Sequence, residues 1–299
     1  MDDFAICYVT GEEIHDETLV SIYSLLENNS QGNYEIVVFD ININEDFNSK
    51  LESLFSEYPE IEYKYKIIEK EKLKFVPKDS GMFHWAVNIL LLLPNLLPDD
   101  IHWILYLDYD TIVYDNIMDI IDHMDHKFDV LGVMEEVRLA QANIDQVVKY
   151  VNTGVLLMNA TSWRQKGLSD VLLTYVRQTN PKYPDQNAVN SQISFNNIGL
   201  LPLQYNFSRS MWDQTRIEFD KSDLQPKIIH FWGPWKPWHK FSDHELDMLW
   251  DSYQQTCPVP LDINQYKSGL MIDFIESIIL QNMDFDTKLR RVMNHILFS

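Results

Sequence analysis

The stretch Trp103-Ile104-Leu105-Tyr106-Leu107-Asp108-Tyr109-Asp110-Thr111 constrains the fold more than any other part of the chain. Its five consecutive apolar or aromatic residues read as a buried strand. Two carboxylates, one residue apart, stand where that strand would leave its sheet. Ligands in open α/β sheets gather beyond the carboxyl ends of strands, where side chains are exposed yet held by a rigid element. Two aspartates in that position can turn toward one hard cation. On its own, Asp-x-Asp fits an ordinary solvated strand end better. The rest of the chain gives it weight.

The strand belongs to a series. Phe4 to Val9 reads as a first strand, Thr10-Gly11 as a turn and Thr18 to Leu26 as a helix. Tyr34 to Ile41 and Ile61 to Ile68 follow as strands around a helix at Phe47 to Tyr58. A helix at Phe83 to Leu93 precedes the strand ending at Asp108. Strands at Val130 to Met134 and Val155 to Met158 come next, then helices at Trp163 to Arg177 and Asn187 to Phe195, the latter capped by Asp185. Lys227 to Phe231 is a short strand leading into a loop shaped by Gly233, Pro234 and Pro237. This βαβ order implies an α/β fold, with a mixed but largely parallel sheet flanked by helices. Beyond Pro258 and Pro260 the composition shifts. We therefore expect a catalytic domain over residues 1–256 and a helical extension over 257–299, with a basic amphipathic end around Lys288, Arg290 and Arg291.

Charge narrows the function. Against 24 basic side chains stand 45 acidic ones, a formal charge of −21, which repels nucleic-acid phosphate and anionic lipid. Membrane contact is at most peripheral, since the most apolar run, Ile89 to Leu97, is short and interrupted by Pro94. Cys7 and Cys257 offer no disulfide framework, and the acidic opening Met1-Asp2-Asp3 is unlike a secretory signal. The expectation is a cytoplasmic protein, peripheral at the inner face of the membrane if it meets one, and compatible with a homodimer.

Four separated segments carry chemistry. Asp108 and Asp110 form the first. Asn152-Thr153-Gly154 opens a strand with an amide side chain and a backbone that a ligand can approach closely. Asp185-Gln186 sits at a helix start. His230, with Gly233 and Lys236, completes the set: its nitrogen beside two carboxylates makes a mixed ligand group suited to Mn²⁺. A divalent cation and two carboxylates sum to about zero, so a bound diphosphate still needs a donor such as Lys236. Bland readings compete at several positions. Trp232, Trp235 and Trp238 serve equally as sugar platforms or loop packing, and Glu135 and Glu136 fit a solvated strand end.

The ordered set Tyr106-Leu107-Asp108-Tyr109-Asp110, Asn152-Thr153-Gly154-Val155-Leu156-Leu157-Met158-Asn159, Asp185-Gln186-Asn187 and His230-Phe231-Trp232-Gly233-Pro234-Trp235-Lys236-Pro237-Trp238 resembles family 8 glycosyltransferases, over about residues 4 to 240. That resemblance implies a GT-A fold, a UDP-hexose donor (UDP-galactose or UDP-glucose), Mn²⁺, a glycan acceptor, and transfer with retention of configuration. It places Asp108, Asp110 and His230 on the metal and Gly233 and Lys236 on the diphosphate. Asn152 and Gly154 face the donor sugar, Asp185 its hydroxyls, and Gln186 lies beneath the anomeric carbon. Tyr109 joins the donor-binding set, and Tyr8 and Thr10 meet uracil. The chain departs from the family at Phe83-His84-Trp85, where a Tyr-x-Arg pattern is usual. Two other readings remain open at this point: a sugar-nucleotide pyrophosphorylase, for which the turn from Val9 to Glu13 has only one glycine, and a non-catalytic nucleotide- or glycan-binding module.

Overall fold

The computed structural model describes residues 3–73, 85–135, 150–218, 225–233, 236–239, 242 and 244–263. Seven strands form the central sheet in the order β3-β2-β1-β4-β7-β6-β8: β1 Asp3–Thr10, β2 Glu35–Asp40, β3 Glu62–Ile67, β4 Ile101–Leu107, β6 Val130–Met134, β7 Val151–Asn159 and β8 Ile198–Leu200. Strands β3, β2, β1 and β4 are parallel, while β7 runs against both β4 and β6. A smaller sheet joins β5 Thr111–Val113, β10 Ile228–His230 and β9 Phe207–Ser208, with β10 in the middle.

The unbroken apolar runs follow from burial on both faces of the large sheet. Successive side chains of a strand point to opposite faces, and the core divides accordingly. Ile104 and Tyr106 of β4 enter one apolar cluster with Ala5, Cys7, Leu156 and Met158. Trp103, Leu105 and Leu107 enter the other, with Phe4, Ile6, Val155 and Leu157. Helix α1 (His15–Asn29) and α2 (Glu45–Ser56) supply the second layer: α1 adds Leu19, Ile22 and Leu26, and α2 adds Phe47, Leu51 and Leu54. Fully burying one such side chain stabilises the fold by about 1.5–3 kcal/mol, so this three-layer core holds the strand ends rigidly.

Several helices differ from the expected ones. Trp85–Leu92 is a 3₁₀ helix, and α geometry holds only over Leu93–Leu96. Pro94 accounts for the restart, because proline is tolerated only in the first turn of an α-helix. The helix expected at Trp163 to Arg177 is two, α3 Ala160–Lys166 and α4 Leu168–Thr179, separated by Gly167 in the left-handed conformation. Helix α5 (Pro184–Gln192) begins at its proline, so Asp185 lies inside the first turn instead of capping it. Helices α6 (Arg209–Glu218) and α7 (Asp247–Thr256) complete the described fold.

After α7 the chain turns back over α1. Val259 and Ile263 are buried, and the Asp262 backbone N–H donates to the Asp16 carboxylate. Residues 264–299, most of the expected extension with its basic end, lie outside the described residues, as do Phe83, His84, Glu136 and Trp235 and the side chain of Trp85. Among the described residues no helix is long and apolar enough to cross a membrane.

Candidate active site

The turn Asp108-Tyr109-Asp110 connects the two sheets, leaving β4 of the large one and entering β5 of the small one. Backbone pairing fixes what it meets. The Asp108 N–H donates to the Gly154 carbonyl of β7 at 2.8 Å, and the Phe231 N–H donates to the Asp110 carbonyl at 2.9 Å. His230 pairs with Thr111 across the small sheet. Residues far apart in sequence therefore share one corner.

There, one ligand atom each from Asp108, Asp110 and His230 lie within 4.8 Å of one another. His230 Nε2 is 3.2 Å from Asp110 Oδ1 and 3.6 Å from Asp108 Oδ2. Asp110 and His230 are buried and Asp108 is half-buried. Asp110 Oδ1 has no hydrogen-bond partner although it is sealed from solvent, and a buried carboxylate oxygen left unpaired is costly. Gly154 forms the floor. A Cβ on it would lie 2.0 Å from His230 Cε1 and 2.6 Å from Asp108 Oδ2, so only glycine admits the imidazole and the carboxylate together. Two carboxylates and one imidazole in this arrangement fit a divalent cation.

The electrostatics are divided between the aspartates. Burial and the charge of Asp110 push the Asp108 carboxyl above its ordinary range, against the opposing pull of His230. Burial acts on Asp110 too, but Lys236 and His230 outweigh it and hold that carboxyl well below the ordinary range. The Lys236 ammonium donates to Asp110 Oδ2 and, at 3.1 Å, to the Phe231 carbonyl, and it lies 5.7 Å from the centre of the Tyr109 ring. Gly233 sits at φ +98°, in the left-handed region that favours glycine.

A second group adjoins the first. Asn152 Oδ1 accepts from the Gly154 N–H at 2.9 Å, and its amide donates to Gln186 Oε1 at 3.3 Å. Thr153 donates to Asp185 Oδ2 at 2.5 Å. Burial lifts the Asp185 carboxyl to about 6, helped by the charge of Asp108 and opposed by Thr153. Gln186 Nε2 donates to Glu135 Oε2 at 2.5 Å. Glu135 is thus no solvated strand end; it is buried at the foot of β6 beside Gln186.

Other expected positions fall elsewhere. Tyr8 and Thr10 are wholly enclosed. The Tyr8 ring packs in the core with its hydroxyl 3.5 Å from Ser21 Oγ, and Thr10 bonds Thr18 Oγ1 at 2.8 Å. Neither side chain presents surface to a base, so uracil contacts through these side chains do not fit the structure. Hydrophobic strand alternation drew both inward. Trp238 is buried on Trp250 (ring centres 4.6 Å apart) and near Tyr109 (6.0 Å), which makes it packing instead of a sugar platform. Sequence reasoning missed Asn206, whose polar side chain carries no motif of its own, and gave Thr153 no role within the segment Asn152-Thr153-Gly154.

A profile of Glycosyl transferase family 8 matches residues 6–242. The chain belongs to glycosyltransferase family 8. A lipopolysaccharide 1,2-glucosyltransferase of Escherichia coli is 24% identical over 261 residues, covering 81% of this chain and 75% of the relative. A lipopolysaccharide 1,3-galactosyltransferase of Salmonella typhimurium is 22% identical over 270 residues, covering 86% and 79%. Among solved structures, the galactosyltransferase LgtC in complex with donor and acceptor sugar analogs superposes with a TM-score of 0.73 at 17% identity, over 86% of this chain and 98% of that one. The mixed sheet with its helices is accordingly a GT-A fold, and the Asp108, Asp110 and His230 corner is the metal-binding candidate of this family 8 glycosyltransferase.

Proposed function

We propose that this family 8 enzyme is a retaining transferase that moves a hexose, galactose or glucose, from a UDP-sugar to a glycan acceptor of a surface polysaccharide or glycoprotein, with Mn²⁺ as cofactor. The observation that carries the reading is the convergence of three ligand side chains, Asp108, Asp110 and His230, over Gly154. The names of the lipopolysaccharide glucosyl- and galactosyltransferases support the substrate class.

In this reading Asp108, Asp110 and His230 hold the cation, which when bound neutralises the charge gathering on the departing diphosphate. Lys236, already tethered at Asp110, adds a compact positive charge for the same phosphates. Gln186 is held by Asn152 and Glu135, so its amide is a preorganised dipole against an oxocarbenium-like centre. An amide is a poor nucleophile. We therefore favour substitution on the face of the leaving group, with the acceptor hydroxyl losing its proton to the departing UDP oxygen; a covalent route needs an Asp or Glu at that point. Asp185 orients sugar hydroxyls, and Gly233 meets the diphosphate together with Lys236.

UDP release from a panel of UDP-sugars, with Mn²⁺ and with or without oligosaccharide acceptors, tests the proposal. Asp110→Ala and His230→Ala are expected to abolish turnover, and Lys236→Ala to weaken UDP binding by about tenfold. Unchanged turnover in Asp110→Ala would remove the catalytic assignment.

A further inference from the structure

Asn206 is buried just before β9, 24 residues ahead of His230 in sequence, and its Oδ1 lies 2.9 Å from His230 Nδ1. The direction of that contact can be worked out from a backbone group. A peptide N–H only donates, so the atom of Asn152 facing the Gly154 N–H at 2.9 Å is its carbonyl oxygen. That same oxygen meets the side chain of Asn206 at 3.0 Å, which must present its NH₂. The other end of Asn206, the carbonyl, therefore faces His230, and a carbonyl only accepts. Nδ1 of His230 carries the proton. The remaining nitrogen, Nε2, is the one turned to Asp108 and Asp110.

The order continues away from His230. The NH₂ of Asn152 faces Gln186 Oε1 at 3.3 Å, and the NH₂ of Gln186 faces the Glu135 carboxylate. Four bonds, His230 to Asn206, Asn206 to Asn152, Asn152 to Gln186 and Gln186 to Glu135, thus point one way and end on an acceptor. Hydrogen bonds aligned in series polarise one another, and a metal-bound histidine is oriented and made more basic by the acceptor behind it.

We propose that Asn206 is a positioning residue for the cation ligand His230, and that the chain of amides through Asn152 couples this ligand to Gln186. The inference rests on the reading of Asp108, Asp110 and His230 as cation ligands. It assigns Asn206 two separable duties: its carbonyl holds the imidazole, and its NH₂ holds Asn152 and through it Gln186.

Two substitutions in the full chain separate them. Asn206→Leu removes both groups and is expected to weaken Mn²⁺ binding, read by electron paramagnetic resonance, by about 10–100-fold. Asn206→Asp keeps an acceptor for the imidazole but has no donor for Asn152. It is expected to bind Mn²⁺ within about threefold of the wild type while UDP release from UDP-galactose and UDP-glucose at saturating Mn²⁺ falls by about tenfold or more. A residue that merely supports the fold gives no such split. Asn206→Leu binding Mn²⁺ as the wild type does would overturn the proposal. So would Asn206→Asp that matches the wild type in both measurements, or one that folds yet loses the cation. Should Asn206→Leu fail to fold, Asn206→Asp decides alone. Wild-type protein that binds no Mn²⁺ would instead defeat the metal reading itself, and Asp110→Ala, expected to lose the cation, is the control that distinguishes the two failures.

Discussion

Two buried aspartates at strand ends of the same sheet have opposite surroundings. Asp40 ends β2, and all that it needs is at hand: His15 Nε2 at 2.7 Å and the Tyr65 hydroxyl at 2.8 Å reach Oδ2, and the Asn42 N–H at 3.1 Å reaches Oδ1. His15 in turn stacks on Phe47 and contacts Asn44. Asp110 follows β4 and shares its corner with a second carboxylate, and one of its oxygens is unsatisfied. The first cluster is closed and contributes to the fold. The second gathers three ligand side chains around an oxygen without a hydrogen bond, an arrangement that a cation can complete.

The contrast breaks most sharply at glycine. Gly154→Ala places a Cβ 2.0 Å from His230 Cε1 and 2.6 Å from Asp108 Oδ2. Overpacking of this kind costs about 1–3 kcal/mol. The imidazole must also leave its seat, so Mn²⁺ affinity and turnover are expected to fall below detection. Gly11, beside the closed cluster, is different: its added Cβ would meet only the flexible end of Ile41 at 3.0 Å. Gly11→Ala is expected to shift thermal stability by less than about 1 kcal/mol. Comparable losses of Mn²⁺ binding in the two variants would erase the distinction between the corners.

Replacing the aspartates sharpens it. Asp40→Asn strips the charge from a satisfied acceptor and is expected to destabilise by about 1–3 kcal/mol, lowering Tm by several degrees. Asp108 is the reverse case, because burial and Asp110 already disfavour its charge. Asp108→Asn is expected to raise the Tm of the metal-free protein at neutral pH and to lose Mn²⁺ binding and turnover. Equal Tm losses at both positions, measured by calorimetry without metal, would show that the second corner is under no electrostatic strain.

Much of this division is legible in the residues themselves. The apolar runs at Phe4 to Val9, Trp103 to Leu107 and Lys227 to Phe231 place strands, and Asp108, Asp110 and His230, the candidate cation group, stand in or just after the last two. Their company is not. Asn206 acts through hydrogen bonds made across 54 and 24 residues, and nothing in its neighbours in sequence marks it. Tyr8 misleads for a related reason: an aromatic near a strand end looks like a base platform, but its place on the inner face of β1 decides otherwise. Gly167 and Pro94 shift helix boundaries through backbone geometry that apolar periodicity ignores.

The smallest expected effect concerns Asp185, which borders both the metal group and Gln186. Its carboxyl is raised from 3.8 to about 6, chiefly by burial, with the charge of Asp108 adding to the shift. The sign follows from linkage: the protonated form is favoured in the folded state, so the stability this group contributes is complete below pH 3.8 and is lost as pH rises through about 6. Asp185→Asn should therefore leave metal-free stability unchanged below about pH 3.8, gain its advantage as pH rises from there through about 6, and hold it constant above that. On the proposed metal reading Mn²⁺ is expected to work the other way, because neutralising Asp108 removes part of the repulsion. With Mn²⁺ bound, the advantage of Asp185→Asn at neutral pH is expected to shrink. Calorimetric pH profiles of both proteins, with and without the cation, read this directly: an advantage that does not change when Mn²⁺ binds would mean that Asp185 does not feel the metal corner at all.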